Sequence, residues 1–315
     1  MNKTSRILGT VLGAAIGDAV GHPLEFIGSF DEIHALHGAG GVQGFTLYWE
    51  RDGKRFAPYT DDTQMSEIVL ATLLDARDAR EDLDATMTRM AAGFVHWSTD
   101  PQGGHRGPGN ACLTGSRALA RGAPWREAGG ETAGGCGSVM RAYPFGLLFA
   151  DDVARAEEWA VLHSRLTHRD PIALAACAAM AQGIARTLNG EPLPDVLAAM
   201  LAAAARYSTP TAGLIEQALS DAANGVAPTV TLDRLRGWAA HEAIAAARYV
   251  YARHPDDPRA AILEAASTPG DSDSLATLAG ALAGARAGID ALPAEWVRDV
   301  ERADELRSLA LRIAA

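Results

Sequence analysis

Apolar residues recur along this chain mainly at three- and four-residue spacings, the pattern of helices that bury one face. A first helix is expected over about residues 5–20, where Gly9, Gly13 and Gly17 lie four apart on one face and would let another helix approach closely. Residues 21–58 break the pattern and read as loop. Within them Phe45-Thr46-Leu47-Tyr48-Trp49 and Lys54-Arg55-Phe56 flank Arg51-Asp52-Gly53, so a short β-hairpin is expected near residues 45–56.

Helices are expected next at roughly 60–79, 83–97 and 110–121, with a Gly- and Pro-rich loop at 98–109. Asp170-Pro171 places a capping acid before a first-turn proline and opens a helix to about Leu188. Pro194 and Pro210 open two more in the same way. One long helix is expected from about Leu232 to Arg253, stopped at His254-Pro255. Asp256-Asp257-Pro258 opens another, the helix after Ser274 ends near Gly288, and a last one covers about 294–313. No internal repeat or low-complexity linker interrupts the series.

Two of these helix starts carry unusual chemistry. Tyr59-Thr60-Asp61-Asp62-Thr63-Gln64 leads into Met65, Ile68, Val69 and Leu73, and Pro269-Gly270-Asp271-Ser272-Asp273-Ser274 leads into Leu275, Leu278 and Leu282. Each alone reads as a capped helix with acids facing the positive end of the dipole. If the two starts meet, they supply four carboxylates and several hydroxyls with no soft ligand. Such a cluster repels itself unless a cation is present, and hard oxygen donors suit Mg²⁺ or Mn²⁺ rather than zinc. Because the two stretches lie near opposite ends of the chain, its halves must pack together for the site to exist. The expected fold is therefore all-α, with residues 1–315 forming one compact domain.

Composition changes this picture little. The 315 residues are 48% hydrophobic and 21% charged, as in an ordinary globular protein with a large core. The formal net charge of −11 argues against a nucleic-acid partner, while leaving room for an anionic small ligand held by a helix start or a bound cation. Cys112, Cys136 and Cys177 are odd in number and lack Cys-x-x-Cys spacing, which speaks against a disulfide framework or a structural zinc and fits a reducing compartment. Lys3 and Arg6 before the apolar run Ile7–Ile16 imitate a signal peptide, but Gly9, Gly13 and Asp18 interrupt that pattern. No stretch is expected to span a membrane, and a cytoplasmic location is expected. There is no His-Glu-x-x-His zinc spacing and no Gly-x-Ser-x-Gly elbow.

The paired acidic motifs resemble those of the ADP-ribosylglycohydrolase family of ADP-ribosyl-acceptor hydrolases. Further stretches stand in matching order: Gly13-Ala14-Ala15-Ile16-Gly17-Asp18-Ala19 followed by Glu25, Gly109-Asn110-Ala111-Cys112-Leu113, Gly135-Cys136-Gly137-Ser138-Val139-Met140-Arg141, Leu166-Thr167-His168, and Gly280-Ala281-Leu282-Ala283-Gly284-Ala285. The similarity runs from about Gly9 to about Gly288. It implies a single all-α orthogonal helical bundle. It also implies two Mg²⁺ (or Mn²⁺) ions held by Thr60, Asp61, Asp62, Asp271, Asp273 and Ser274. Ser274 stands where many members have threonine and keeps the hydroxyl, and Pro269 replaces a frequent glycine.

On spacing alone Glu25 is a surface carboxylate. The resemblance makes it a catalytic candidate over the substrate ribose, with Asp62 as its competitor for the base. The stretch Gly134 to Arg141 is similar to the family's diphosphate-binding loop, so Gly134, Gly135, Cys136, Gly137, Ser138 and Met140, with Asn110 and His168, are the implied ADP-ribose contacts. Cys136 replaces an asparagine of some relatives, and His168-Arg169-Asp170-Pro171 departs from the frequent His-x-His-Pro. Asn110 reads equally as a helix N-cap, His168 as a structural hydrogen bonder, and Tyr143 and Phe145 as core or as adenine-stacking residues.

The implied activity is metal-dependent release of ADP-ribose from an ADP-ribosylated protein, with the ADP-ribosylated protein or ADP-ribose as the expected partner. Arginine is the first choice of acceptor, because short-loop bacterial members mostly act there, and serine is the second. Two rivals differ in class: a non-catalytic ADP-ribose-binding or partner-blocking protein on the same scaffold, and a two-metal phosphohydrolase.

Overall fold

The glycine spacing of the first helix turns out to organise the chain. The computed structural model describes residues 2–315, and its first helix, Lys3–Gly21, lies antiparallel against Ser272–Ala287. A Cβ placed on Gly9, Gly13, Gly17 or Gly21 would lie well inside van der Waals contact of the carbonyl oxygens of Gly284, Gly280, Ala276 and Ser272 respectively. Only hydrogen fits between these backbones. The contact carries the end of the first helix, and Glu25 just beyond it, to the start of the second acidic helix. N- and C-terminal halves thus meet at the site.

The fold is all-α, as expected. Among the described residues there are sixteen α-helices, three 3₁₀ turns and one two-stranded sheet. One buried cluster runs from Ile7 to Ala310 and includes Phe94, Phe145, Met180, Tyr249 and Leu282. The helices Asp61–Ala79, Leu83–Thr99, Asn110–Ala120, Pro171–Leu188, Leu193–Ala205, Thr209–Ala223 and Pro258–Ala266 begin within a residue or two of the expected starts. Their caps explain why: Asp82 accepts from Ala85 N at 2.9 Å, Asp170 from Ile172 N at 3.0 Å and Asp257 from Ala260 N at 2.9 Å.

Several expectations need correction. The long helix from 232 to 253 is two, Pro228–Arg234 and Ala240–Arg253. Between them Gly237 takes φ 89°, and the freed carbonyls of Arg236 and Trp238 accept from Asp271 N at 2.8 Å and Cys136 N at 3.3 Å. The last helix is also two, Ala294–Asp299 and Ala303–Ala314. Its break pairs with Ala57, which donates to Asp299 O at 2.7 Å and accepts from Glu301 N at 2.9 Å. In both places tertiary hydrogen bonds outweigh a continuous helical pattern. The loop-rich stretch 21–58 contains a helix, Phe30–His37, N-capped by Ser29. Helices Tyr143–Leu148 and Val153–Ser164 lie in a stretch to which the sequence pattern assigns nothing.

The hairpin exists but is shorter than expected. Trp49–Arg51 pairs with Lys54–Phe56, and Asp52 and Gly53 turn with φ 53° and 73°, as a tight two-residue turn requires. Phe45 lies outside the sheet and packs on Trp296 at 5.9 Å between ring centroids.

Two helices, contrary to expectation, are long and apolar enough to cross a membrane by length and composition: Lys3–Leu24 and Pro171–Leu188, each with mean hydropathy 1.3. Both are core helices here, 89% and 78% buried over those windows, so their apolar surface is already covered by protein.

Candidate active site

The two acidic helix starts do meet. Thr60 caps its own helix, its hydroxyl accepting from Asp62 N at 3.3 Å. The capping reading therefore holds for Thr60. Asp61 and Asp62 sit in the first turn, and Asp271 occupies the N-cap position of Ser272–Ala287 without making a cap bond. Thr60, Asp61, Asp62, Asp271, Asp273 and Ser274 are all buried.

Their bonds leave donor capacity unused. Asp271 Oδ2 accepts from the Cys136 thiol at 2.7 Å, and Asp273 Oδ1 from Ser274 N at 2.9 Å. Asp62 Oδ2 is buried with no hydrogen-bond partner. A buried, unpartnered carboxylate oxygen is costly unless something positive meets it.

Asp18, which the sequence offers as part of a glycine-rich stretch and as a break in an apolar run, supports the first motif. It lies fully buried on the first helix and accepts from Thr60 N at 2.9 Å, Thr63 N at 3.0 Å and Thr63 Oγ1 at 2.6 Å. Those three bonds fix the approach of the acidic helix. The legible signal was a lone acid inside an apolar run, which must be either satisfied or functional.

The acids raise one another's proton affinity. Burial, then the charge of Asp273, pushes Asp61, Asp62 and Asp271 well above the ordinary carboxylate range and lifts Asp18 to about 7. Glu25, half-buried, is pushed up to about 10 by burial and then by Asp273, Asp271 and Asp61. A cluster of this kind is stable as anions only around a cation. The donor set therefore fits divalent metal ions such as Mg²⁺ or Mn²⁺.

That donor set is less uniformly hard than the sequence suggests. His22, Glu25 and Asp273 each bring one ligand atom within 4.8 Å of the others, and His22 Nδ1 is buried without a partner. Burial lowers the proton affinity of His22, which keeps its ring available as a neutral donor. The Cys136 thiol also faces Asp271 and Ser274, the latter at 3.4 Å.

The acids open into a cleft of ≈ 230 Å³. Of the residues singled out in the sequence, Glu25, Asp61, Asp62, Asn110, Gly135, Cys136, Gly137, Met140, His168, Asp271, Asp273 and Ser274 line it. Three do not. Thr60 lies beneath it as the cap. Gly134 is tied to the helix Ala240–Arg253 through its carbonyl, which accepts from Ala240 N at 2.8 Å. Ser138 is fully buried and accepts from Ser164 Oγ at 2.9 Å. Asn110 is not the N-cap of its helix, since Gly109 holds that position, so its exposed side chain is free to face the cleft.

The glycine-rich wall is held from behind. A Cβ on Gly137 would come to 3.1 Å from His168 Cε1 and closer still to Cys112 Sγ. His168 Nδ1 lies 2.7 Å from Thr167 Oγ1, and burial followed by the charge of Arg141 lowers the ring to about 3, so it stays neutral. Arg141, fully buried over the Phe94 ring, donates to Gly137 O and to Thr167 Oγ1, the latter at 2.6 Å. Tyr143 and Phe145 pack into the core and do not face the cleft. The aromatic that does is Trp238, missed in the sequence. It stacks on exposed Phe26 at 5.2 Å between ring centroids.

Larger hollows of ≈ 1130 Å³ and ≈ 490 Å³ lie beside the hairpin and behind the first acidic helix, and neither contains an acid of the two motifs.

Comparison with known proteins agrees with this geometry. The family model for ADP-ribosylglycohydrolase matches residues 1–315. ADP-ribosylarginine hydrolase Tri1 of Pseudomonas putida is 27% identical over 97% of this chain and 76% of its own length. The ADP-ribosyl-[dinitrogen reductase] glycohydrolase of Rhodospirillum rubrum is 25% identical over 94% of this chain and 90% of its own. A solved ADP-ribosylglycohydrolase-related protein complex superposes with a TM-score of 0.74 at 25% identity, covering 99% of this chain and 98% of that one.

Proposed function

The chain belongs to the ADP-ribosylglycohydrolase family, and from that membership and its acidic cleft we propose a metal-dependent hydrolase that frees ADP-ribose from modified protein side chains, ADP-ribosylarginine first among them. One observation carries the metal dependence: acids from opposite ends of the chain converge on one cleft, and Asp62 Oδ2 is buried there without a partner. The arginine preference is supported by the similarity to an ADP-ribosylarginine hydrolase.

Thr60, Asp61, Asp62, Asp271, Asp273 and Ser274 would hold two Mg²⁺ or Mn²⁺ ions, whose contribution is to orient ribose hydroxyls and water and to offset negative charge. The chain's own groups do the rest. Glu25 reaches the cleft from the loop after the first helix and lies close to Asp273. Held as the anion beside bound cations, it would take a proton from the attacking water, and Asp62 is the alternative base. Breaking the C1′–N bond passes through oxocarbenium character at C1′. The water oxygen bonds to C1′, and the departing guanidine gains a proton. The Gly135–Gly137 wall lets a diphosphate approach the backbone closely, with neutral His168 behind it.

The test is ADP-ribose release from ADP-ribosylated arginine and serine peptides with Mg²⁺ or Mn²⁺ present. Release from the arginine peptide first is the expected result. Tight ADP-ribose binding without release from either peptide would replace the hydrolase with a binding protein, and phosphate release from ADP-ribose would replace it with a phosphohydrolase.

A further inference from the structure

Arg106 and Glu301 form a buried ion pair, 6% and 3% exposed, that joins chain segments remote in sequence. The Arg106 guanidinium donates to both Glu301 oxygens, the Nη2–Oε1 bond measuring 3.1 Å, and its Nη1 donates to Tyr59 O at 2.7 Å. It also stacks on Trp49, 4.6 Å from the ring centroid. Glu301 is held in turn through its backbone, which donates to Ala57 O at 2.9 Å. The pair therefore fastens residues 57–61, the C-terminal break and the loop 100–109 to one another.

That loop is one wall of the cleft. Arg106 O accepts from Asp61 N at 3.2 Å, in the first turn of the acidic helix. The next residue, Gly107, has φ 72°, and a Cβ there would lie 3.4 Å from Glu25 Oε2 and 3.9 Å from Asp61 Oδ1. Gly103, Gly104 and Gly107 all take positive φ, and the segment has no regular structure of its own. Besides the Arg106 guanidinium, the loop's side-chain anchors are Gln64, which donates to Gln102 O at 2.7 Å and Gly104 O at 3.1 Å, and Trp97, which meets His105 edge-on at 5.9 Å between ring centroids. A glycine-rich loop with so few anchors opens easily when one is lost. Losing one partner of a buried pair also strands the other's charge.

We propose that Arg106 and Glu301 are positioning residues for the hydrolysis: their pair holds the 100–109 loop against Glu25 and Asp61 and so sets the spacing of the carboxylates in the cleft. This rests on the hydrolase reading above. Neither side chain lines the cleft, and both act through Gly107 and the Asp61 backbone. A displacement of about 1 Å at reacting groups can cost on the order of 10²-fold in rate.

The experiment uses Glu301→Gln and, as a second variant, Arg106→Lys, which keeps the charge but loses the two-pronged fork. Hydrogen exchange and kinetics are measured well below each variant's Tm. Faster exchange confined to residues 57–63 and 100–109 is expected. It should accompany a fall in kcat of about tenfold or more, with ADP-ribose affinity within about twofold of wild type. A purely structural pair would lower Tm, speed exchange across the whole chain and leave kcat unchanged, and that result overturns the proposal. Unchanged exchange in the loop overturns it as well. If the wild type itself fails to turn over ADP-ribosylated peptides, the hydrolase reading falls, while the exchange experiment still decides whether the pair holds the loop.

Discussion

Gly13 and Gly280, 267 positions apart in the sequence, press backbone to backbone, and a Cβ on either would intrude on the other's carbonyl oxygen. The first of their helices carries Asp18, which holds the Thr60 motif, and the second begins at Asp271 and Asp273. Gly280→Ala should therefore destabilise the protein although alanine is the better helix former. Overpacking of this kind costs on the order of 1–3 kcal/mol, and the obstacle here is backbone, which cannot swing aside. Thermal unfolding with and without Mg²⁺ is the check. Tm should fall in both conditions, and a Tm at or above wild type would mean that the helices separate without cost.

Gly137→Val should weaken ADP-ribose binding by about tenfold or more while leaving metal content unchanged. The side chain would press on Cys112 and His168 and push the glycine-rich wall into the cleft. Calorimetry with ADP-ribose beside metal analysis separates the two effects. Unchanged affinity would place the diphosphate elsewhere in the cleft.

The acidic motifs and the glycine stripe were legible because each is local. Thr60-Asp61-Asp62 and Asp271-Ser272-Asp273-Ser274 announce themselves at helix starts, and four-residue glycine spacing announces close packing whatever the partner. What stayed hidden depends on contacts between distant segments. His22 joins Glu25 and Asp273, and Trp238 reaches the cleft, only because the loop after the first helix and the break at Gly237 fold beside Asp271. Nothing near Arg106 in the sequence points to Glu301. Helix breaks at 235–239 and 300–302 were missed for the same reason, since their stabilising hydrogen bonds go to Cys136, Asp271 and Ala57.

Glu67→Gln should change the pH dependence of stability. Burial raises Glu67 from 4.5 to about 7, against the pull of Arg302 and the hydrogen bond from Tyr59 at 3.1 Å. An acid with a raised folded pKa binds its proton more tightly in the folded state. Its contribution is fully present below 4.5 and is lost as pH rises through about 7. The neutral glutamine escapes that loss. Relative to wild type, the variant should gain stability between pH 4 and pH 8, by on the order of 1–3 kcal/mol. Denaturant midpoints at the two pH values measure this, and a pH-independent difference would mean that Glu67 has the same proton affinity in the folded and unfolded chain.

The account rests on acids from both ends of the chain sharing metal ions. Metal stoichiometry of Asp61→Asn and Asp273→Asn, measured beside wild type, tests that most directly. Both substitutions are nearly isosteric, so the fold should persist while the cation loses a charged donor. The wild type should bind two divalent ions per chain. Each variant, although its change lies in a different half, should lose an ion or bind at least about tenfold more weakly. Full occupancy at unchanged affinity in both variants would mean that these acids serve only their helix starts, and the metal centre, with the function proposed for it, would be contradicted.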